Sequence, residues 1–439
     1  MKKTTENELF LSQKRFKKLE KEYRKLKQKR EQQRKKHRKS RTYNYCSKVF
    51  GLFAADIKKS SFVSNNQIEK TINLPEVFSV IHDPENFLRT LYKLNVGDLN
   101  KIQKIILDHS KVTKLDLAAE SILDFLILEF KKIKKGRFQL QGYLPDEPLA
   151  NRYVRATGII KNLNIEDKFL DSEQEKLHRI FKMRGKNLNQ STSLNSKGWK
   201  ESAIEDFVKH INQCLKDNNK RLTKKAQGEL AKYTGEILNN AEDHSGYDEV
   251  VITGYLDNSS STHWCEIAIF NFGKTIAETF RDMPDTSYTH KEIESYIKKH
   301  NSFFSLEWTK DNLLTVVSLQ GHISSKNLHK DQDRGQGTVD LIEFFQRMHK
   351  QCVGQNKSMA EMAILSGSTY IYFDGKYSMK EDLNGRKVIA FNQNNDLHEK
   401  PDSKYVKNLK KLSFPGTIIS IKFPMKHENT ELLVGDQNE

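Results

Sequence analysis

Apolar positions recur along the chain at two periods, and the switches between them mark out its elements. In residues 1–41, Phe16, Leu19, Tyr23 and Leu26 fall three and four apart, as on one side of a helix. After Leu26 the stripe stops while charge continues through "KQKREQQRKKHRKSR". A second unit spans about 66–181. There "IQKIILDHSKVTKLDLAAESILDFLILEF" predicts a strand at Ile105–Leu107, a turn, a short link and a helix. "RFQLQGYLP" predicts a strand over Phe138–Leu144, and "NRYVRATGIIKNL" a helix and turn. Strands alternating with helices imply a small α/β layer. Periodicity vanishes in "GKNLNQSTSLNSKG", so residues 182–198 read as a linker.

A third unit, 199–425, opens with helical spacing through "AIEDFVKHINQCLKDNN" and "AQGELAKYTGEILNNAEDH". A hairpin follows, "EVVITGYLDN" and "HWCEIAIFNFG", joined by a Ser-rich turn over Asn258–Thr262. Beyond it come a long irregular polar segment, a Gly-rich turn into a helix, and strands at "TYIYFDG", "KVIAFNQ" and "GTIISIKFP". Residues 426–439 read as a polar tail, and no internal repeat is visible.

Charge sharpens this division. Residues 1–41 hold 18 Lys and Arg against 5 Asp and Glu, a net +13 of the chain's +17. The basic character belongs to the arm, which suits either an electrostatic hold on nucleic-acid phosphates or a solvated tail. An anionic membrane or an acidic protein is a third, lesser possibility for its partner. Four cysteines, Cys46, Cys214, Cys265 and Cys352, lie scattered without a C-x-x-C pair, as in a reducing compartment. No run of 18 apolar residues spans a membrane, and the basic N-terminus lacks a signal peptide's apolar stretch. A cytoplasmic protein with no membrane partner is expected.

The segment with most chemistry is "GEILNNAEDHSG". On a helix Glu229, Tyr233, Glu236, Asn240 and Asp243 share one face, beside a core-facing row of Leu230, Thr234, Ile237 and Ala241. A carboxylate and a carboxamide at i,i+4 suit a metal-phosphate site, with Glu as proton acceptor and the Asn oxygen as a hard ligand for magnesium. The plain alternative is a solvated helix face. Asn271 closes a strand ahead of Gly273, whose lack of a side chain allows close approach. Gly335 and Gly337 precede a helix, where free N–H groups attract phosphate, although an ordinary loop-to-helix turn has the same composition.

In order the pieces read E-I-L-N-N-A, N-F-G-K-T-I, R-G-Q-G-T and F-P-G-T. That order resembles the GHKL family of ATP-binding domains, shared by DNA gyrase, the heat-shock chaperone and sensor histidine kinases. The resemblance covers about Ser202–Pro424, roughly half the chain, and the helix motif is most similar to the anti-sigma-factor kinase branch. It implies an α/β sandwich of the Bergerat type binding ATP and magnesium. Glu236 would be the general base and Asn240 the magnesium ligand, with Asp243 in the same motif. Asn271 would stand where the family keeps the aspartate that accepts the adenine amino group, ahead of Gly273. Gly335, Gln336, Gly337 and Thr338 would cradle phosphate, Thr417 would lie near the base, and residues 277–334 would form a lid. One departure is plain: Asn271-Phe272-Gly273-Lys274-Thr275-Ile276 replaces Asp-x-Gly-x-Gly-Ile, removing a charge and a glycine.

The unit at 66–181 resembles the STAS fold of anti-sigma-factor antagonists through "IILDHSKVTKLDLAA", "FQLQGYLP" and "ATGIIKNL". An unrelated α/β layer is the alternative. The family's phosphorylated serine would fall near Lys114, Leu115 and Asp116, where Thr113 is the nearest hydroxyl, so a docking role is expected rather than regulated phosphorylation. Together these readings imply an α/β protein with a basic arm, a smaller STAS-like domain and a GHKL-type domain. It would work as a nucleotide-dependent switch on a protein or nucleic-acid partner, with slow ATP hydrolysis and a homodimer as further expectations. Two alternatives stay open: a serine/threonine kinase of the anti-sigma-factor type, and a nucleic-acid-binding scaffold with a vestigial nucleotide site.

Overall fold

A computed structural model describes residues 48–57, 68–95, 99, 101–135, 137–158, 180–186, 198–216, 219–245, 249–257, 263–321, 323–324, 336–352, 360–425 and 430–432. The basic arm therefore lies outside the described residues. Ser47–Glu439 forms one compact unit of mixed α/β structure.

The described residues open with helix α1 (Lys48–Ile57) and strands β1 (Glu69–Asn73) and β2 (Val77–Phe78). Helix α2 (Pro84–Asn95), β3 (Lys104–Asp108) and β4 (Lys114–Leu115) follow, then α3 (Leu117–Ile133), β5 (Gln139–Tyr143) and α4 (Pro148–Thr157). Strands β1, β3 and β5 form a parallel three-stranded sheet with β3 in the middle. The predicted strands and the helix after them occur here. Asp116 starts α3 as its N-cap, its carboxylate accepting from the Ala119 N–H at 2.8 Å. Apolar residues line α3 almost all round, because it is buried on all sides.

The larger part adds β6 (Ile180–Lys186), α5 (Trp199–Lys216), β7 (Lys220–Leu222), α6 (Lys224–Ser245), β8 (Glu249–Asp257) and β9 (His263–Phe272). Three helices come next, α7 (Ile276–Arg281), α8 (Tyr288–His300) and α9 (Lys310–Val317), and then α10 (Gln336–Cys352). The remaining strands are β10 (Glu361–Gly367), β11 (Thr369–Phe373), β12 (Lys380–Glu381), β13 (Lys387–Val388), β14 (Val406–Asn408), β15 (Phe414–Met425) and β16 (Thr430–Leu432). Seven of them form an antiparallel sheet ordered β14-β11-β10-β15-β9-β8-β6.

Each face of this sheet is covered by a different part of the chain. Helices α5, α6 and α10 bury Phe207, Ile237 and Phe345 against Cys265, Ile267 and Ile269 of β9. On the opposite face α3 brings Phe125 to 5.9 Å from Phe270 and 5.1 Å from Phe272, while α1 brings Phe53 to 6.3 Å from Phe272. The alternation of β9 divides between two apolar partners, which is why "HWCEIAIFNF" reads as a nearly continuous apolar run.

Several expectations need correction. Residues 180–186, placed partly in the linker, form edge strand β6 on β8. The run "EMAILSG", assigned to no element from the sequence, forms β10, a buried interior strand. "KVIAFNQ" is mostly loop: only Lys387 and Val388 pair, and Gln320 holds Ile389 by hydrogen bonds of 2.9 and 3.0 Å. The polar segment from 277 contains α7, α8 and α9, each started by a side-chain cap from Thr275, Ser287 or Thr309. In the tail, Thr430–Leu432 pairs with β7.

Lys70 on β1 offers a pH handle. Its ammonium donates to the Leu94 carbonyl at 3.1 Å, and burial pulls its pKa down to about 8 from 10.5. The folded state thus sheds this proton near pH 8 while the unfolded chain keeps it to about pH 10.5. Between those limits the unfolded state binds more protons, so this residue's contribution to stability rises with pH, by up to roughly 3 kcal/mol. Urea unfolding of the protein and of Lys70→Met from pH 7.5 to 10.5 checks this. The wild type should gain on the variant across the window, and parallel curves would contradict the burial argument.

Candidate functional site

The site grows from one register level of the large sheet. Asn271 on β9 pairs with Thr417 on β15 and with Val250 on β8, and Thr417 pairs in turn with Ser366 on β10. Directly opposed residues of antiparallel strands point to the same face. Asn271, Thr417 and Ser366 therefore form a polar row on the face that carries α6 and α10. The Thr417 and Ser366 hydroxyls are 2.8 Å apart, and Ser366 also accepts the Ile276 N–H at 2.9 Å.

Asn271 is 4% exposed as a residue, and its carboxamide makes no hydrogen bond among the described residues, while its polar atoms are not among those sealed from solvent. The backbone beside it is shaped by glycine. Gly273 has φ 125° and donates its N–H to the Pro415 carbonyl at 2.9 Å. Gly416 has φ 150°, and a Cβ there would lie 2.0 Å from the Asn271 carbonyl oxygen.

Two helices end at this level. The C-terminal end of α6 leads, three residues later, into β8, whose second residue is Val250. Helix α10 runs the other way. Its C-terminal half places Phe344 against Phe423 at 6.1 Å and His349 3.3 Å from the Ala360 carbonyl, at the far end of β10. Its N-terminus is thereby directed toward the Ser366 end. The helices are fastened by Tyr233 stacked on Phe344 at 4.3 Å and by Lys232 3.0 Å from Asp340.

Of the sequence-predicted residues, Glu236 is half-buried on α6. Asn240 and Asp243 lie on the same helix, their side chains outside the described residues. Tyr233 does not share their polar face: it is 5% exposed in the core with Leu230 and Ile237, because the face reading ignored how wide the buried stripe is. Gln336, Gly337 and Thr338 form the first turn of α10, with Gly337 and Thr338 half-buried, the Gln336 side chain outside the described residues, and Gly335 outside them altogether. Asn271, Gly273 and Thr417 come together as described. Ser366 was missed, since a lone serine ahead of a glycine carries no signal of its own. Thr275, which stands where the resembled motif has a glycine, caps α7 in a reciprocal pair with Glu278, and Lys274 pairs with Asp282 at 2.6 Å. In the smaller layer Thr113 is exposed and Asp116 is buried, where burial pushes its carboxyl up against the hydrogen bonds from Ser79, Ile81 and Ala119.

Among the described residues no group of three His, Cys, Asp or Glu side chains is arranged to hold a metal ion, and no helix is long and apolar enough to cross a membrane. No family model, curated protein or solved structure matches the chain.

Proposed function

We propose that the 199–425 part is a GHKL-type ATP-binding unit, and that the protein is a nucleotide-dependent switch acting on a protein or nucleic-acid partner. One observation carries the reading: a carboxamide with no hydrogen bond among the described residues, Asn271, sits beside Thr417 at the end of the sheet where α6 finishes and α10 begins. A nucleobase would satisfy the carboxamide, and the absence of a side chain at Gly416 leaves that strand pair closely approached. The phosphates would lie toward the first turn of α10, where Gln336, Gly337 and Thr338 carry free helix-start N–H groups. Magnesium would be held by Asn240 together with the nucleotide's own phosphates. Oxygen donors and few carboxylates suit that cation, which usually keeps several waters. Glu236 would serve as the base for slow hydrolysis. The loss of charge at Asn271 favours binding over rapid turnover, and hence a switch over a kinase.

The layer built from residues 69–157 covers the opposite face of the sheet, away from this row, which supports a docking or transmitting role for it. The arm at 1–41 would supply phosphate contacts without base readout. Salt titrations of nucleic-acid binding by the full chain and by a chain lacking 1–41 check the arm: steep salt dependence should vanish with it.

The test of the site is thermal. Magnesium-ATP at a hundredfold excess over Kd should stabilise the protein by about 2.7 kcal/mol, while apo Asn240→Ala melts as wild type does and loses most of the ATP shift. An unchanged ATP shift in Asn240→Ala, or none in the wild type, would sink the assignment.

A further inference from the structure

The Asn271 row has a property that a carboxylate in the same place would lack. A carboxylate only accepts hydrogen bonds, whereas a carboxamide presents one acceptor and one donor edge side by side. A 180° turn about its last bond exchanges them. Asn271 is free to make that turn, because among the described residues no hydrogen bond fixes which end is oxygen.

Its neighbour is equally uncommitted. Between Thr417 and Ser366, at 2.8 Å, either hydroxyl is able to donate. Ser366 already accepts the Ile276 N–H and has the Gly416 carbonyl at 3.4 Å as another acceptor for its own proton. The Thr417 hydroxyl is therefore able to offer a ligand either a proton or a lone pair. The three residues of the row themselves carry no ionised side chain to set its polarity.

A 6-aminopurine presents a donor at position 6 beside an acceptor at N1. A 6-oxopurine presents an acceptor at position 6 beside a donor at N1. The two patterns are mirror opposites, and each matches one orientation of the Asn271 carboxamide with two hydrogen bonds. A carboxylate has no donor to give, so beside N1 of the first or the oxygen of the second it sets acceptor against acceptor. We infer that this site does not discriminate adenine from guanine nucleotides, and that its physiological ligand class is purine nucleotides with either a 6-amino or a 6-oxo group. The inference rests on the nucleotide-site reading above.

Direct binding of magnesium-ATP and magnesium-GTP to the full chain, by calorimetry at one salt concentration, tests it. The two dissociation constants should agree within about threefold, since the hydrogen-bond count is the same for both. Asn271→Leu, which removes donor and acceptor together, should weaken both nucleotides by a similar factor of roughly tenfold or more. Should Asn271→Leu unfold, the wild-type ratio decides alone. GTP bound more than about thirtyfold weaker than ATP by the wild type would overturn this inference and leave the ATP site standing. Failure of both nucleotides to bind would overturn the nucleotide-site reading, and this inference with it.

Discussion

Glu266→Ala is expected to lower folding stability by about 3–5 kcal/mol, the range for removing one partner of a buried ion pair. Glu266 is 3% exposed in the middle of β9, on the face turned toward the smaller layer. One carboxylate oxygen accepts from the Leu117 N–H at 2.9 Å and the Tyr153 hydroxyl at 2.8 Å. The other lies 3.0 Å from the Lys422 ammonium, and burial, which would lower that lysine's pKa, is outweighed by Glu266, so the ammonium is held charged. Removing the carboxylate strands three donors at once. Lys422 keeps 26% of its side chain exposed and is able to turn partly to water, which places the loss at the lower end of the range. Glu266→Gln, which retains an acceptor oxygen for Leu117 and Tyr153, should lose less. Urea unfolding of both variants checks the order, and an Ala variant as stable as wild type would show that the two layers do not depend on this junction.

Gly416→Ala should be comparably damaging, by about 3 kcal/mol or more. The new Cβ would meet the Asn271 carbonyl oxygen at 2.0 Å and the Phe272 Cα at 2.9 Å, both backbone atoms that no rotamer change relieves. Gly385 provides the control: its φ is also positive, at 72°, but a Cβ there meets nothing within 4 Å. Gly385→Ala should therefore show only backbone strain, of order 1 kcal/mol. Chemical denaturation of the two variants separates close approach from conformational strain. Equal losses would mean that strand contact at Gly416 is looser than the register implies.

The sequence made some of this structure legible and hid the rest for physical reasons. The β8–β9 hairpin stands out because two long β-rich runs flank a Ser-rich turn, and α6 because Leu230, Thr234 and Ile237 repeat at helical spacing. Strand β10 was hidden because its turn into β11 is a single Ser-Gly-Ser step with Gly367 at φ 61°, without an Asn-Gly or Asp-Gly pair to announce a hairpin. The caps of α7 and α9 were readable in principle, since Thr275 with Glu278 and Thr309 with Asn312 have capping-box spacing. Glu266 left a fainter trace, a charge in an otherwise apolar strand, whose partners lie 149 and 113 residues away in sequence. Long-range partners of that kind are invisible to local periodicity. So was the alignment of Asn271, Thr417 and Ser366, which depends on register across three strands.

The position of β15 has a consequence for synthesis. It lies between β9 and β10 in the sheet but follows both of them in the chain. Until Phe414–Met425 emerges, the nascent chain holds two part-sheets, β9-β8-β6 and β14-β11-β10, each with an apolar edge of unsatisfied backbone. The large sheet therefore closes only once Phe414–Met425 has been translated, through contacts as distant as Asn271 with Thr417. Such late, non-local closure is slow and leaves its open edges exposed to aggregation. Yield in cells should depend on chaperone supply and growth temperature more than the stability of the finished fold would suggest.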